Sequence, residues 1–287
     1  MIRSALLALD NSPSSKIALD MAIALCQRYA EKHDGRTDTI HLSGVAVVDL
    51  PGIKAPTSVP IGAGAYKKQR DETLVKESQE RMEQILQEFD ERCKADNIPH
   101  TCIPSEGLPY EQIERHALSH DVILIGKETN FHYETSENIG ATMRKLLVDN
   151  ARPVIVYPDQ MPDNHRVVIA YDGSNPAAHA LQLWTLLEIY GPQTEIHLVS
   201  ISGEEEKAHA RLDEAAQFLS FHGLTATKHA ILKTKYVVEL LAEKVAELSP
   251  RMVILGAYGR GGFKETLFGS STNKMLESAN CPLFLYK

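Results

Sequence analysis

A chain of 287 residues, at roughly 150 residues per domain, has room for two domains. With 43% hydrophobic and 24% charged residues it has ordinary globular composition, enough for a core in each half. Its formal net charge of -8 leaves little to gain from counterion release, which speaks against nucleic-acid binding.

No apolar run approaches the ~18 residues of a membrane helix, so no membrane association is expected. The N-terminal MIRSALLALD carries only a short apolar stretch before Asp10, and no small-residue cleavage site follows. It is expected to be a buried first strand rather than a signal peptide. After Asp10 a small polar turn leads into an amphipathic helix within SALLALDNSPSSKIALDMAIAL. The stretch DLPGIKAPTSVPIGAG (49–64) is rich in proline and glycine and is expected to be a loop. A long helix is predicted over about 66–96. Its apolar stripe is Leu74, Met82, Ile85, Leu86, Phe89 and Cys93, and the charged remainder is a solvated face.

The stretch SEGLPYEQI (105–113) marks a strand-to-helix turn, DVILIG (121–126) a buried strand, and PVIVY (153–157) a terminal apolar strand. The short polar stretch from Pro158 to Asn164 is the expected linker. Beyond it the pattern starts again. RVVIAYDGSNPAAHALQLWTLL, from residue 166, repeats SALLALDNSPSSKIALDMAIAL and places Asp172 where Asp10 stands. RMVILG (251–256) repeats DVILIG, and NCPLFLYK (280–287) repeats NARPVIVYP (150–158).

In this second copy strands are predicted at about 166–171, 194–200, 226–231, 251–255 and 282–286. Helices fill 175–190, 204–222, 235–248 and 270–279. Strands alternating with helices imply right-handed crossovers and a parallel sheet covered on both faces. The expected fold is therefore α/β, with two tandem five-stranded Rossmann-like domains at 1–159 and 160–287. Each final strand is apolar and terminal, and bare edges are normally covered or paired.

The strand ending at Leu255 opens into GAYGRGGFKETLFGSS (256–271). In an open parallel sheet ligands bind beyond the carboxyl ends of the strands. Gly256 and Gly259 let the backbone turn and approach a ligand closely. Gly269 and Ser270 open a helix, whose free N–H groups and dipole favour an anion. Ser270, Ser271 and Thr272 add hydroxyls, and Arg260 and Lys264 add charge; for each of these two a solvated loop charge remains an equal reading. The whole is a phosphate cradle, though without the G-x-x-x-x-G-K-[ST] spacing of a Walker A loop.

The spacing G-x2-G-x9-G-S, the Asp after the first strand and the closing NCPLFLY strand together resemble the universal stress protein family, as two tandem copies covering essentially the whole chain. The resemblance implies an adenine-nucleotide-binding fold with ATP held by the second domain. Gly256, Gly259, Gly269 and Ser270 would face phosphates and ribose, and Arg260 and Ser271 adjoin them in the loop. Asp172 would contact the adenosine end, with an adenine contact at Val199 or Ser200 near the end of strand two. Mg²⁺ is implied only through the phosphates; family members pair as dimers through their last strands, and the two domains of this chain are expected to pair with each other in the same way.

The first copy departs from this pattern. In GKETNFHYETSENIGAT (126–142) Thr129 replaces the second glycine, Gly140 lies one residue too far on, and Ala141 stands in place of Ser. Glu128, Glu134 and Glu137 oppose a polyphosphate, against Lys127 and Arg144. This half is not expected to bind ATP in the usual way.

Other chemistry has less support. His116 and His120 have a zinc-compatible spacing but no third ligand. Ser4, Ser12 and Ser174 lack a placed His–Asp pair. Cys26, Cys93, Cys102 and Cys281 form no C-x-x-C pair, which suits a reducing cytoplasm and provides neither a disulfide framework nor a zinc site. The expected function is an ATP-binding, cytoplasmic stress-response or regulatory protein, a homodimer of tandem chains, with no catalytic residue assigned. A slow ATPase and a pure interaction scaffold are the alternatives, because no acid–base pair accompanies Asp172.

Overall fold

The structure, a computed structural model, describes residues 1–32, 39–55, 64–131, 146, 152–256 and 275–287. The chain divides into two compact units, Arg3–Leu146 and Leu147–Lys287 with Met1–Ile2.

In the first unit β1 (Ser4–Ala8), β2 (His41–Val48), β3 (His100–Glu106) and β4 (Val122–Gly126) form a parallel sheet in the order β3-β2-β1-β4. The register sets Ser4 beside His41, Ala5 beside Val122 and Leu42 beside His100. Every residue of VILIG in β4 is buried, as expected of a parallel strand covered on both faces. Helices α1 (Pro13–Lys32), α2 (Leu50–Ile53), α3 (Gly64–Ala95) and α4 (Pro109–Ala117) connect or cover these strands. The segment expected to be loop at 49–64 thus contains a short helix and the first residue of a long one. Asp49 explains the first: its carboxylate accepts the Gly52 N–H at 2.8 Å, a side-chain cap of the kind that satisfies a helix start. Phe89 and Cys93 of the stripe on α3 are fully buried, whereas Leu74 is exposed.

The second unit holds β6 (Arg166–Ala170), β7 (Glu195–Ser202), β8 (Ala226–Leu232), β9 (Met252–Gly256) and β10 (Leu283–Tyr286), parallel throughout. Helices α5 (Asn175–Leu186), α6 (Glu205–Phe221) and α7 (Val237–Leu248) pack on it, and residues 275–278 are helical. The fifth strand of the first repeat, β5 (Val154–Tyr157), joins this unit and runs antiparallel to β10, with Leu283 opposite Val156 and Leu285 opposite Val154. Its order is β5-β10-β9-β6-β7-β8. The two terminal apolar strands therefore cover each other, as expected. The sequence repeat divides near residue 160, but the contacts divide at 146/147, because pairing with β10 ties β5 to the second unit. No helix among the described residues is long and apolar enough to cross a membrane.

Candidate functional site

The carboxyl ends of β6 and β9 meet the start of α5, and β7 runs alongside β6. Asp172 follows β6, and Gly173 takes φ +73°, a left-handed conformation that favours glycine. Ser174 then caps α5, its Oγ accepting the Ala177 N–H at 3.4 Å. Asp172 is half-buried. Its Oδ1 accepts the Ser174 N–H at 2.9 Å, and Oδ2 has no partner among the described residues.

Gly256 closes β9 against this same helix start. A Cβ there would lie 2.5 Å from Ala177 N and 2.6 Å from the Pro176 carbonyl carbon. Backbone at that distance does not yield as a flexible side chain would, so only glycine lets the strand end touch the helix. Gly126 does the same in the first unit, with Ser14 and Ser15 main-chain atoms 2.6 Å from its missing Cβ. The first glycine of each loop thus serves strand-to-helix packing, a role that ligand geometry alone does not suggest.

Strand β7 runs two residues past the expected end, to Ser202. Val199 and Ser200 therefore lie within the ladder. The Val199 carbonyl accepts the Tyr171 N–H at 2.9 Å, and the Ser200 hydroxyl is buried with no partner among the described residues. Gly259, Arg260, Gly269, Ser270 and Ser271 lie outside the described residues.

Sequence reasoning missed Arg211. On α6, it lays its Cγ 3.3 Å and its Nε 3.4 Å from where a Gly173 Cβ would stand. It adjoins the inward-facing Ala208, Leu212 and Ala215, so the helical period held the only hint. Tyr171, beside it in the chain, has its hydroxyl pKa raised by burial and then by the negative charges of Glu214 and Asp172.

In the first unit the corresponding carboxylate is closed off by its own chain. Asp10 is buried; its Oδ1 accepts the Ser12 N–H (3.0 Å) and hydroxyl (2.6 Å), and its Oδ2 accepts the Asn130 N–H (2.6 Å). The Glu128 N–H meanwhile donates to Ser14 Oγ at 2.9 Å, so residues 128–130 lie across the strand end. Burial raises the Asp10 pKa above the ordinary value, opposed by these hydrogen bonds.

The other candidates separate. The His120 ring meets the His116 carbonyl at 2.7 Å, and the His116 ring meets Ser105 Oγ at 3.4 Å, so the two imidazoles are held by different partners. No group of three or more His, Cys, Asp or Glu that could hold a metal occurs among the described residues. The four cysteines are free thiols; burial pushes Cys26 and Cys93 up to about 12.

Residues 163–287 match the model of the universal stress protein family. The universal stress protein Slr1230 of Synechocystis is 24% identical over 177 residues, which span 58% of this chain and 58% of that protein's length. A universal stress protein from Archaeoglobus fulgidus superposes with a TM-score of 0.68 at 19% identity, covering 99% of this chain and 96% of its own. The protein PA1789 of Pseudomonas aeruginosa superposes with a TM-score of 0.58 at 15% identity, covering 100% and 92%. The two structural likenesses are of fold.

Proposed function

Starting from a chain whose residues 163–287 form a universal stress protein domain, we propose that its second unit binds an adenine nucleotide, ATP foremost, and that occupancy of this site is the signal the protein conveys in a stress response. The observation that carries this reading is Asp172: half-buried at the carboxyl end of β6, with one oxygen uncommitted among the described residues.

A carboxylate so placed accepts hydrogen bonds from ribose hydroxyls or a base amino group. Val199 and Ser200 lie beside it within β7, the Ser200 hydroxyl buried without a partner among the described residues. Gly259, Arg260, Gly269, Ser270 and Ser271 supply main-chain N–H groups, hydroxyls and a cation for the phosphates, with Gly256 holding the root of the loop against α5. Mg²⁺ enters with the phosphates. The saturated, buried Asp10 leaves the first unit as scaffold. No acid–base pair accompanies Asp172 among the described residues, and on this reading the protein holds ATP rather than turning it over efficiently. The protein acts in the cytoplasm as a homodimer.

Calorimetry with ATP and Mg²⁺ tests this. The expected isotherm has one site per chain, weakened by Asp172→Ala and unmoved by Asp10→Ala. Two equal sites, or none, overturn the reading.

A further inference from the structure

The two sheets end on equivalent outer strands, β3 and β8, yet only one of these edges is blocked. His41 and Glu195 open β2 and β7 at matching positions, beside Ser4 and Arg166. Counting from them, Ala46 pairs with Pro104 on β3, and Ser200 pairs with Ala230 on β8. Position 104 of the first unit is thus position 230 of the second.

Main-chain bonds show which way these residues face. The Pro99 carbonyl accepts from Leu42 and the Gly107 N–H donates to Val48, so odd-numbered residues of β3 turn inward to β2. His100, Cys102, Pro104 and Glu106 turn outward. Pro104 has no N–H, which interrupts the outer ladder in its middle, a known way of protecting an edge. On β8 the Lys233 N–H donates to the Ser202 carbonyl, so Ala226, Lys228, Ala230 and Leu232 turn their main-chain groups outward. No proline interrupts them, and no strand pairs with this side among the described residues.

An edge lysine can deter pairing, but Lys228 is drawn back onto α6, its Nζ 2.6 Å from Asp213 Oδ1. Large apolar side chains stand exposed at both ends of the strand: Phe221 (75%) before it, Leu232 (51%) at its close and Tyr236 (75%) after it. An antiparallel partner of the same sequence brings the Phe221 end of one strand beside the Leu232 and Tyr236 end of the other.

We propose that β8 is a homodimerisation edge, pairing antiparallel with β8 of a second copy of this chain about a two-fold axis at His229. In that register Ala226 faces Leu232 and Lys228 faces Ala230, so all four outward residues of each strand exchange both main-chain bonds. Centring on residue 228 or 230 instead would set one outward residue of each strand against a residue outside β8. The proposal adds the contact surface to the homodimer reading above and does not depend on nucleotide binding.

Sedimentation of the full-length chain at tens of micromolar, with circular dichroism alongside, tests it. Ala230→Pro places in β8 the residue that β3 already tolerates at the same position. Leu232→Lys puts a charge on the open end. The wild type should sediment as a dimer and both variants as monomers, with unchanged dichroism and an unchanged ATP isotherm. A monomeric wild type overturns both the homodimer reading and the edge, leaving β8 to another chain's strand. A dimer that persists in both variants overturns the edge alone. If Ala230→Pro unfolds, Leu232→Lys decides: loss of the dimer supports the pairing and its retention refutes it.

Discussion

The main-chain N–H of Asn130 donates to Asp10 Oδ2 across 2.6 Å, binding the segment after β4 to the end of β1. The same carboxylate takes two bonds from Ser12 through its other oxygen, so each oxygen is occupied. Carboxylate hydrogen bonds of this kind contribute about 1.5–3 kcal/mol each, and a donor left buried and unpaired adds its own desolvation cost. Asp10→Ala should therefore lower stability by roughly 2–4 kcal/mol. Urea unfolding measures it. A change below about 0.5 kcal/mol would show that the contact carries no weight.

Gly256→Ala tests the packing role of the first loop glycine. The added methyl would meet Ala177 N at 2.5 Å, and neither the strand nor the helix start can give without main-chain movement. Overpacking of this kind costs about 1–3 kcal/mol. The loss should appear in the nucleotide-free protein, and Gly126→Ala should produce a similar loss in the first unit. A glycine needed only for ligand approach would leave nucleotide-free stability unchanged, so thermal unfolding without ATP distinguishes the two roles.

The fold was open to reading because the strongest signals are local and doubled. VILIG and MVILG read as buried strands on their own, and the repeat of Asp10 in Asp172 fixed the order of the elements around them. Two apolar terminal strands marked sheet edges in need of cover, and the family resemblance supplied their pairing with each other, as β5 and β10 do. The closure over Asp10 was not legible, since its donor is the Asn130 main-chain N–H, a group every residue but proline carries. The contact of Gly256 with α5 was hidden for a related reason: a missing Cβ announces close approach but not what approaches. Val199 and Ser200 were placed at a strand end that lies two residues further on, because the polar residues of Ser200–Ser202 look like a turn and yet continue the ladder.

His197 and His229 stack at a centroid distance of 5.3 Å, with Nδ1 of the first 3.0 Å from Nε2 of the second. One shared proton satisfies that contact, and a second cation would oppose the first. Burial lowers both pKa values. Lys244 lowers them further and Arg166 adds to this at His197, while Glu195 and Glu247 act in the opposite direction. With folded values below the ordinary 6.5, the unfolded chain takes up protons first as pH falls. This stability is present above the unfolded pKa and is lost as pH drops through it. Unfolding free energy should fall by on the order of 1 kcal/mol between about pH 7.5 and 5 relative to His197→Gln, the half-buried position limiting the effect. Equal slopes in wild type and variant would refute it.

Asp172 separates a binding protein from an enzyme. With Oδ1 held by the Ser174 N–H, only Oδ2 is left to meet a ligand, and it stands beside Gly173 and the start of α5. A single charge-assisted hydrogen bond to the nucleoside contributes about 1–3 kcal/mol, so Asp172→Ala should weaken ATP binding by roughly 5- to 150-fold. Any ATP hydrolysis should be slow in the wild type, well under the ~10 s⁻¹ of a median enzyme, and the variant should lose it only in proportion to occupancy. A catalytic carboxylate predicts the opposite pair of results, with affinity near wild type and single-turnover hydrolysis collapsed. Calorimetry and single-turnover phosphate release on this one variant measure both quantities. Fast hydrolysis that disappears while binding holds would make the protein an ATPase and remove the role proposed for it here.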